Sequence, residues 1–378
     1  MNTEVSSKPG VSMWQLARQN IYPLVSSMMA KATLVEGPLK GSGQHFRGLF
    51  VHNCLFTAEL RKRTFAEEPR VIWEKRIFLP ALNWYLRSHA AEYDLCIAVL
   101  PSFYENQFKA RADFMGQEEV RHVIDASIGW DAMRMRFSTK KRQVTNNFEE
   151  KHGLSYRISN ELADFDLFYH QMYVPLIRKR YGDLADVDPY EAAKAWFERG
   201  FVLFVEKDGQ PVAGALSELE NGVILFRRSG VLGGEETHVK AGAQTALYFF
   251  QLRYAVDRGL KAVDALKTAP FLNDGVFKHK VDWGAQTLPD DETQRSVFYF
   301  LNGRTESQAA FFEVNPIVIR SDKGMAALVG RRAAAATTPP KKGGSQDIQQ
   351  YKVLGVQEVL TVDWPQQPEL TAPPLAAA

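Results

Sequence analysis

The chain reads as an α/β protein with mixed sheets (α+β in character), and three observations point there. The pairs Asp208-Gly209 and Asn221-Gly222 separate apolar runs rich in Val, Leu and Phe. Such pairs supply the left-handed residues of tight hairpins, which predicts an antiparallel meander. Beyond residue 240 helical and extended patterns alternate, which predicts a parallel strand pair joined by a helical crossover. A length of 378 residues, 45% of them apolar and 24% charged, suits two domains that each bury a core.

The elements follow in order. Residues 13–35 read as an amphipathic helix interrupted near Pro23, with few basic residues, and so as a packing element. "HFRGLFVHNCLF" from His45 is a strand, "LPALNWYLRSHAAE" from Leu79 a helix, and "YDLCIAVL" from Tyr93 a buried strand. "VRHVIDAS" from Val120 is a further strand, and residues 127–153 form one long helix bridging the halves. "LSYRIS" from Leu154 opens the second half, with Asn160 capping a helix that breaks near Pro175. The next helix has Asp188 as N-cap, Pro189 at its first position and Glu191 completing a capping box.

Three meander strands come next, then a helix from Lys240 to Arg258, the strand "KAVDAL", a helix within residues 269–286 and the strand "SVFYFL". In that last helix Asp274 and Lys278 make an acid-before-base pair, Lys280 neutralises the C-terminal dipole, and Trp283 packs inward. Residues 331–378 change character to an Ala-, Thr-, Pro- and Gly-rich linker and tail, in which "YKVLGVQEVLTVDW" forms a strand that docks back or meets a partner. The expected division is 1–150, 151–330 and 331–378.

Several function classes are excluded at this level. A formal charge of +2 gives no global field for DNA, and "STKKRQVTNN" has too few cations and aromatics for a nucleic-acid surface. Cys54 and Cys96 sit in apolar surroundings without metal spacing, which suits a reducing, cytoplasmic setting with two buried thiols. No apolar run reaches 18 residues, so no transmembrane helix is expected. Self-association into a homo-oligomer is left open.

The order strand, helix pair, meander, helix, strand, helix, strand resembles the GNAT acyltransferase fold. "FSTKKRQVTNNFEEKHGLSYRIS", "FDLFYHQMYVPLIRKRYGD" and "VDAL…DGVFKHKVDWG", with Lys280, Trp283 and Gly284, resemble the Fem-like and polysaccharide-cluster members with tandem GNAT-like domains. The resemblance implies an acyltransferase that moves an acyl group from a thioester, acyl-CoA as co-substrate with no tightly bound cofactor, to an amine or hydroxyl acceptor on a sugar, peptide or other small molecule. It implies that the strands "ILFRRSGVL" and "AVDAL" splay to admit the donor.

Around that splay Arg228, Gly230, Val231, Gly233, Gly234, His238, Lys240, Ala241 and Gly242 are the expected donor-binding residues, since a helix start offers free N–H groups to a pyrophosphate. Asp264 and Glu218 are the candidate bases and Tyr173 a candidate acid; no Ser-His-Asp or Cys-His pattern competes with them. Arg227 and Arg228, being adjacent, are expected on opposite strand faces, and Arg178, Lys179 and Arg180 on a solvated helix end. "EETHVKAGAQTA" lacks the Gln/Arg-x-x-Gly-x-Gly/Ala element of ordinary GNAT acyl-CoA sites. That absence leaves two alternatives: a non-catalytic binding or scaffold protein of this fold, and a Fem-type transferase that takes its donor from aminoacyl-tRNA.

Overall fold

The structure is a computed structural model that describes residues 28–331, apart from 53, 147, 149–152 and 304–305, together with 351 and 353–363. Its first strands are β1 (Met29–Pro38), β2 (His45–Val51), β3 (Arg70–Phe78), β4 (Leu95–Pro101) and β5 (Phe114–Gly116). Seven more are β6 (Val120–Asp125), β7 (Leu154–Ser159), β8 (Gly200–Lys207), β9 (Gln210–Glu220), β10 (Val223–Val231), β11 (Ala262–Thr268) and β12 (Gln286–Pro289). The last are β13 (Arg295–Leu301), β14 (Ile317–Ser321), β15 (Gly324–Arg331) and β16 (Glu358–Asp363). They form two mixed sheets: nine strands ordered β16-β15-β14-β5-β13-β4-β2-β1-β3, and seven ordered β12-β6-β11-β10-β9-β8-β7.

The predicted meander is present as β8–β10, antiparallel with Asp208 and Asn221 in the left-handed region at its turns, and β7 adds antiparallel to β8. Helix Ala243–Asp257 then crosses to β11, which runs parallel to β10. An apolar face of that helix, Ala246, Leu247, Phe250 and Leu252, packs against the inner residues Leu203, Val205, Ala215 and Ile224 of the sheet. On the opposite face Phe165, Phe168, Met172 and Phe197 meet Val202, Phe204 and Leu216. The helical run Leu162–Tyr181 does not break at Pro175. A π-helical turn at Tyr169–Tyr173 precedes the proline and absorbs its missing N–H donor.

Sheet membership does not follow the expected boundary at 150. β6, from the first half, lies between β11 and β12 of the second sheet. "SVFYFL", expected to end the second domain, returns as β13 between β4 and β5 of the first. The two units thus exchange one strand each. Periodicity reports only that a strand exists: β13 is apolar on both faces, as an interior strand can be, whereas β6 buries Val120, His122 and Ile124 on one face and carries Arg121 and Asp125 on the other.

Other differences have local causes. Residues 127–153 contain two short helices, Trp130–Met135 and Thr139–Thr145, and Ser138 caps the second by accepting from the Lys141 N–H. Of the expected helix 13–35, residues 29–35 belong to β1, and 13–27 lie outside the described residues. Asp188 does not cap its helix; Pro189 occupies that position. "YKVLGVQEVLTVDW" does dock back. β16 runs parallel along β15, the Thr287 N–H donates to the Leu354 carbonyl at 2.8 Å, and Val353, Val356 and Val359 pack with Leu272, Phe277 and Val318. This segment therefore ties the edges of both sheets. Among the described residues no helix is long and apolar enough to cross a membrane.

Gly230 is where β10 and the π turn touch: an added Cβ would lie 2.4 Å from the Met172 carbonyl carbon and 2.5 Å from the Tyr173 nitrogen. Gly230→Ala is expected to cost about 1–3 kcal/mol through overpacking. Urea unfolding of the variant checks this.

Candidate active site

The three predicted catalytic groups are each engaged by neighbours. Asp264, almost fully buried, accepts from Arg121 Nε at 2.5 Å and from the Leu266 N–H at 2.7 Å. Glu218 accepts from Arg199 Nε at 2.6 Å and Arg227 Nε at 2.8 Å. Burial pushes the Glu218 carboxyl up, the two guanidiniums pull it down harder, and it rests below the ordinary carboxylate value. A carboxylate held so firmly as the anion is a poor proton acceptor. The Tyr173 hydroxyl donates to the Asp188 carboxylate; burial and that carboxylate hold the phenol above its ordinary value. Each of the three groups is thus committed to a structural pair.

The predicted donor residues fare similarly. Arg228 donates to Asp188 Oδ1 at 2.6 Å. A register shift between Phe226 and Arg228 turns the strand, so Arg227 and Arg228 both lie over Trp196, at 5.3 and 5.1 Å, and not on opposite faces. Gly230 and Gly234 bring the backbone close to residues 172–176, not to open space, and Val231 is fully buried. His238 and Lys240 belong to a five-residue helix, Glu236–Lys240, where Lys240 pairs with Glu236. Gly233 and Ala241 are exposed, and Gly242, left-handed, precedes helix Ala243–Asp257. Lys179 pairs with Glu235 and Arg180 donates to Gln244, so that basic rim is tied to the same loop.

β10 and β11 do part, as the resemblance implies. They pair only over Val223–Leu225 and Ala262–Asp264. Beyond that point Phe226 touches Tyr248, and Tyr248 meets His279 and Trp283, with ring centroids 4.6, 4.8 and 5.7 Å apart. Burial, aided by Lys141 and Lys280, pushes His279 down to about 4. Lys280 does not end its helix in solvent. It is buried, donates to the carbonyls of Leu266 and Lys267 at 3.1 and 3.0 Å, and is pushed down to about 8 by burial. Asp274 does not pair with Lys278; it caps Val276 and Phe277 and receives Arg63. The opening between the strands is therefore filled by side chains.

A real cavity lies one step further along β11. Its volume is about 500 Å³, and it is lined by Leu55, Phe56 and Glu59 of helix Leu55–Thr64, Glu118 and Glu119, Ala269 and Thr293–Arg295. It opens at the carboxyl ends of β2 and β11, where ligands of open α/β sheets collect. The first half also has a parallel pair here, β2 with β4, which ends at Val51 and Ala98. At its edge His52 adopts φ 73° and accepts from Arg295 at 3.1 Å, while Arg295 Nε holds Glu118 Oε2 at 2.7 Å. Cys54 stands at the helix start, and burial keeps its thiol above the ordinary value, so it is no nucleophile.

Among the described residues Glu119 has no ion-pair partner. Partial enclosure, with Asp290 and Glu118 beside it, raises its carboxyl above the ordinary value against the pull of Lys267 and Lys280. Sequence reasoning missed this residue. "GQEEV" carries no motif, and only the strand exchange brings residues 118 and 119 beside 293–295. His52, Glu118 and Arg295 were missed for the same reason. Among the described residues no group of His, Cys, Asp and Glu has the arrangement of a metal site.

No protein-family model and no curated protein matches the chain. Among solved structures it is similar to FemX, at 12% identity and a TM-score of 0.39, over 72% of this chain and 85% of that one. It is also similar to L-PGS from Bacillus licheniformis, at 10% identity and 0.34, over 73% and 87%. A third is a GCN5-related N-acetyltransferase from Kribbella flavida, at 13% identity and 0.25, over 75% and 93%. Likenesses this distant carry no weight in assigning chemistry.

Glu218 serves as the test of the structural pairs. Its lowered folded value means its contribution is present above the unfolded carboxylate value and is lost as pH falls through the folded one. Glu218→Gln, which leaves the partly buried Arg227 without its anion while the exposed Arg199 turns to solvent, is expected to cost about 1–3 kcal/mol at pH 7, with the difference shrinking as pH falls below the ordinary carboxylate value. Denaturant unfolding across that pH range measures it.

Proposed function

We propose that the protein is an acyltransferase that works in the cavity between its two units, with Glu119 as the proton acceptor. The single observation behind this reading is an unpaired carboxylate with a raised proton affinity, set in a cavity at the carboxyl end of a strand that has parted from its parallel neighbour. An amine or hydroxyl acceptor enters the cavity. An acyl thioester, acyl-CoA in the simplest case, presents its carbonyl at the end of β11. The nucleophile gives its proton to Glu119 as its N or O bonds the acyl carbon; the thioester C–S bond then breaks and the thiol leaves with a proton from solvent. Positioning supplies most of the rate, since the chemistry needs no covalent enzyme intermediate.

A second reading is favoured by one observation. Gly230 and Gly234 are spent on contact with residues 172–176, so the expected pyrophosphate cradle is closed. That suits a binding or scaffold protein of this fold, or a transferase whose donor is not a CoA ester. Calorimetry with acetyl-CoA and longer acyl-CoAs, and transfer from aminoacyl-tRNA with and without RNase, separates these. Binding of an acyl-CoA supports the first reading; RNase-sensitive transfer moves the donor to aminoacyl-tRNA. Neither binding nor transfer, with the protein folded, leaves the scaffold.

Two kinetic outcomes are expected where transfer is found. Glu119→Gln lowers kcat about a hundredfold, the usual worth of a positioned base, with little change in unfolding free energy. The wild-type rate rises with pH through a midpoint above the ordinary carboxylate value, because Glu119 must be ionised to accept a proton. A pH–rate profile of both proteins checks them together.

A further inference from the structure

Part of the cavity wall, Glu118, Glu119, Thr293 and Gln294, belongs to the two segments that carry the chain between sheets: 117–119, from β5 to β6, and 290–294, from β12 to β13. They are fastened to each other twice. The Gln117 side chain donates to the Asp290 carbonyl at 2.8 Å and accepts from the Asp290 N–H at 3.1 Å. Arg295, the first residue of β13, holds Glu118 at 2.7 Å and donates to His52 Nε2 at 3.1 Å. A guanidinium is always a donor, so His52 is the neutral tautomer with its proton on Nδ1. One side chain thus joins the end of β2 to both crossovers, next to Glu119.

We propose that Arg295 is a positioning residue for transfer in this cavity: by clamping Glu118 it fixes the 117–119 crossover and, through it, the orientation and charge environment of Glu119. The inference rests on the reading of Glu119 as the base. The charged groups that act on Glu119 are Glu118 on its own segment, Asp290 on the facing crossover, Lys267 on β11 and Lys280 on helix Gly275–Asp282, and Glu59 of helix Leu55–Thr64 and Arg295 share the cavity wall with it. Lys267 is committed to Asp290 and Glu292 at 2.9 and 2.8 Å. Arg295 is therefore what neutralises Glu118.

The test is a carbon-13 NMR titration of the Glu119 carboxyl, which needs no substrate and so stands or falls apart from the transfer assay. Arg295→Gln is expected to raise the midpoint by about half a pH unit or more, because Glu118 is left as an unmatched neighbouring anion. Glu118→Gln is expected to lower it. In the Glu118→Gln background the effect of Arg295→Gln should fall to less than half. Arg295→Lys, which keeps the charge, should recover most of the wild-type value. An unmoved midpoint in Arg295→Gln, or an equal shift in both backgrounds, overturns the proposal. A proper pattern of shifts alongside an active Glu119→Gln enzyme would instead sink the transfer reading and leave the clamp standing.

Discussion

The exchange of strands β6 and β13 between the sheets is the constraint on which everything else depends. Each is bonded along both edges inside the other unit: β6 to β11 and β12, β13 to β4 and β5. Withdrawing either strand would strip two ladders of backbone partners, and buried unpaired N–H and C=O groups are costly. The units consequently cannot hinge freely about a linker as loosely joined domains do. Further ties reinforce this: the Leu272 and Val318 N–H groups donate to the Pro316 and Pro270 carbonyls, β16 pairs with β15, and the Thr287 N–H of β12 donates to the Leu354 carbonyl. A cavity in such a junction keeps its shape, which is what a positioned base and acceptor require.

Charge placement follows from that rigidity. Most partly buried carboxylates in the second unit are matched by guanidinium or ammonium groups: Asp164 by Arg157, Asp188 by Arg228, Glu218 by Arg199 and Arg227, Asp264 by Arg121, Asp290 by Lys267. Such groups are costly to bury singly, and pairing them commits them to structure. Glu119 differs because it is solvent-exposed at the cavity rim and has no ion-pair partner among the described residues, while the buried Glu118 beside it takes Arg295. Partial enclosure, with Asp290 and Glu118 beside it, raises its carboxyl against the pull of Lys267 and Lys280. The filled opening between β10 and β11 has the same logic in apolar form: Phe226, Tyr248 and Trp283 stack where a ladder would have been, and Lys280 satisfies the carbonyls released there by Leu266 at φ 65°.

Much of the fold was legible in the residues, and most of the site was not. Asp208-Gly209 and Asn221-Gly222 announced the meander through turn chemistry, a local property. The apolar run from Tyr93 announced a buried strand through composition, and the helical crossover before "KAVDAL" announced a parallel pair. The destination of a strand is non-local: nothing in "VRHVID" or "SVFYFL" says which sheet it joins. Asp264 and Glu218 attracted attention as acids at strand ends, yet their partners Arg121 and Arg199 lie 143 and 19 residues away. Gly230 and Gly234 look alike whether backbone meets a phosphate or a helix, and here the helix wins. The junction site was invisible because its walls come from Leu55, Phe56 and Glu59, from Glu118 and Glu119, and from Thr293–Arg295, which share no spacing.

The central claim is that acyl transfer takes place in the junction cavity and not between β10 and β11. Photo-crosslinking with an acyl-CoA that carries a diazirine at its acyl end, read by peptide mass spectrometry, tests this most directly. The account predicts labels on the peptides containing Leu55–Glu59, Glu118–Glu119 or Thr293–Arg295. Labels confined to Phe226–Gly234 and Ala243–Tyr248 would contradict it.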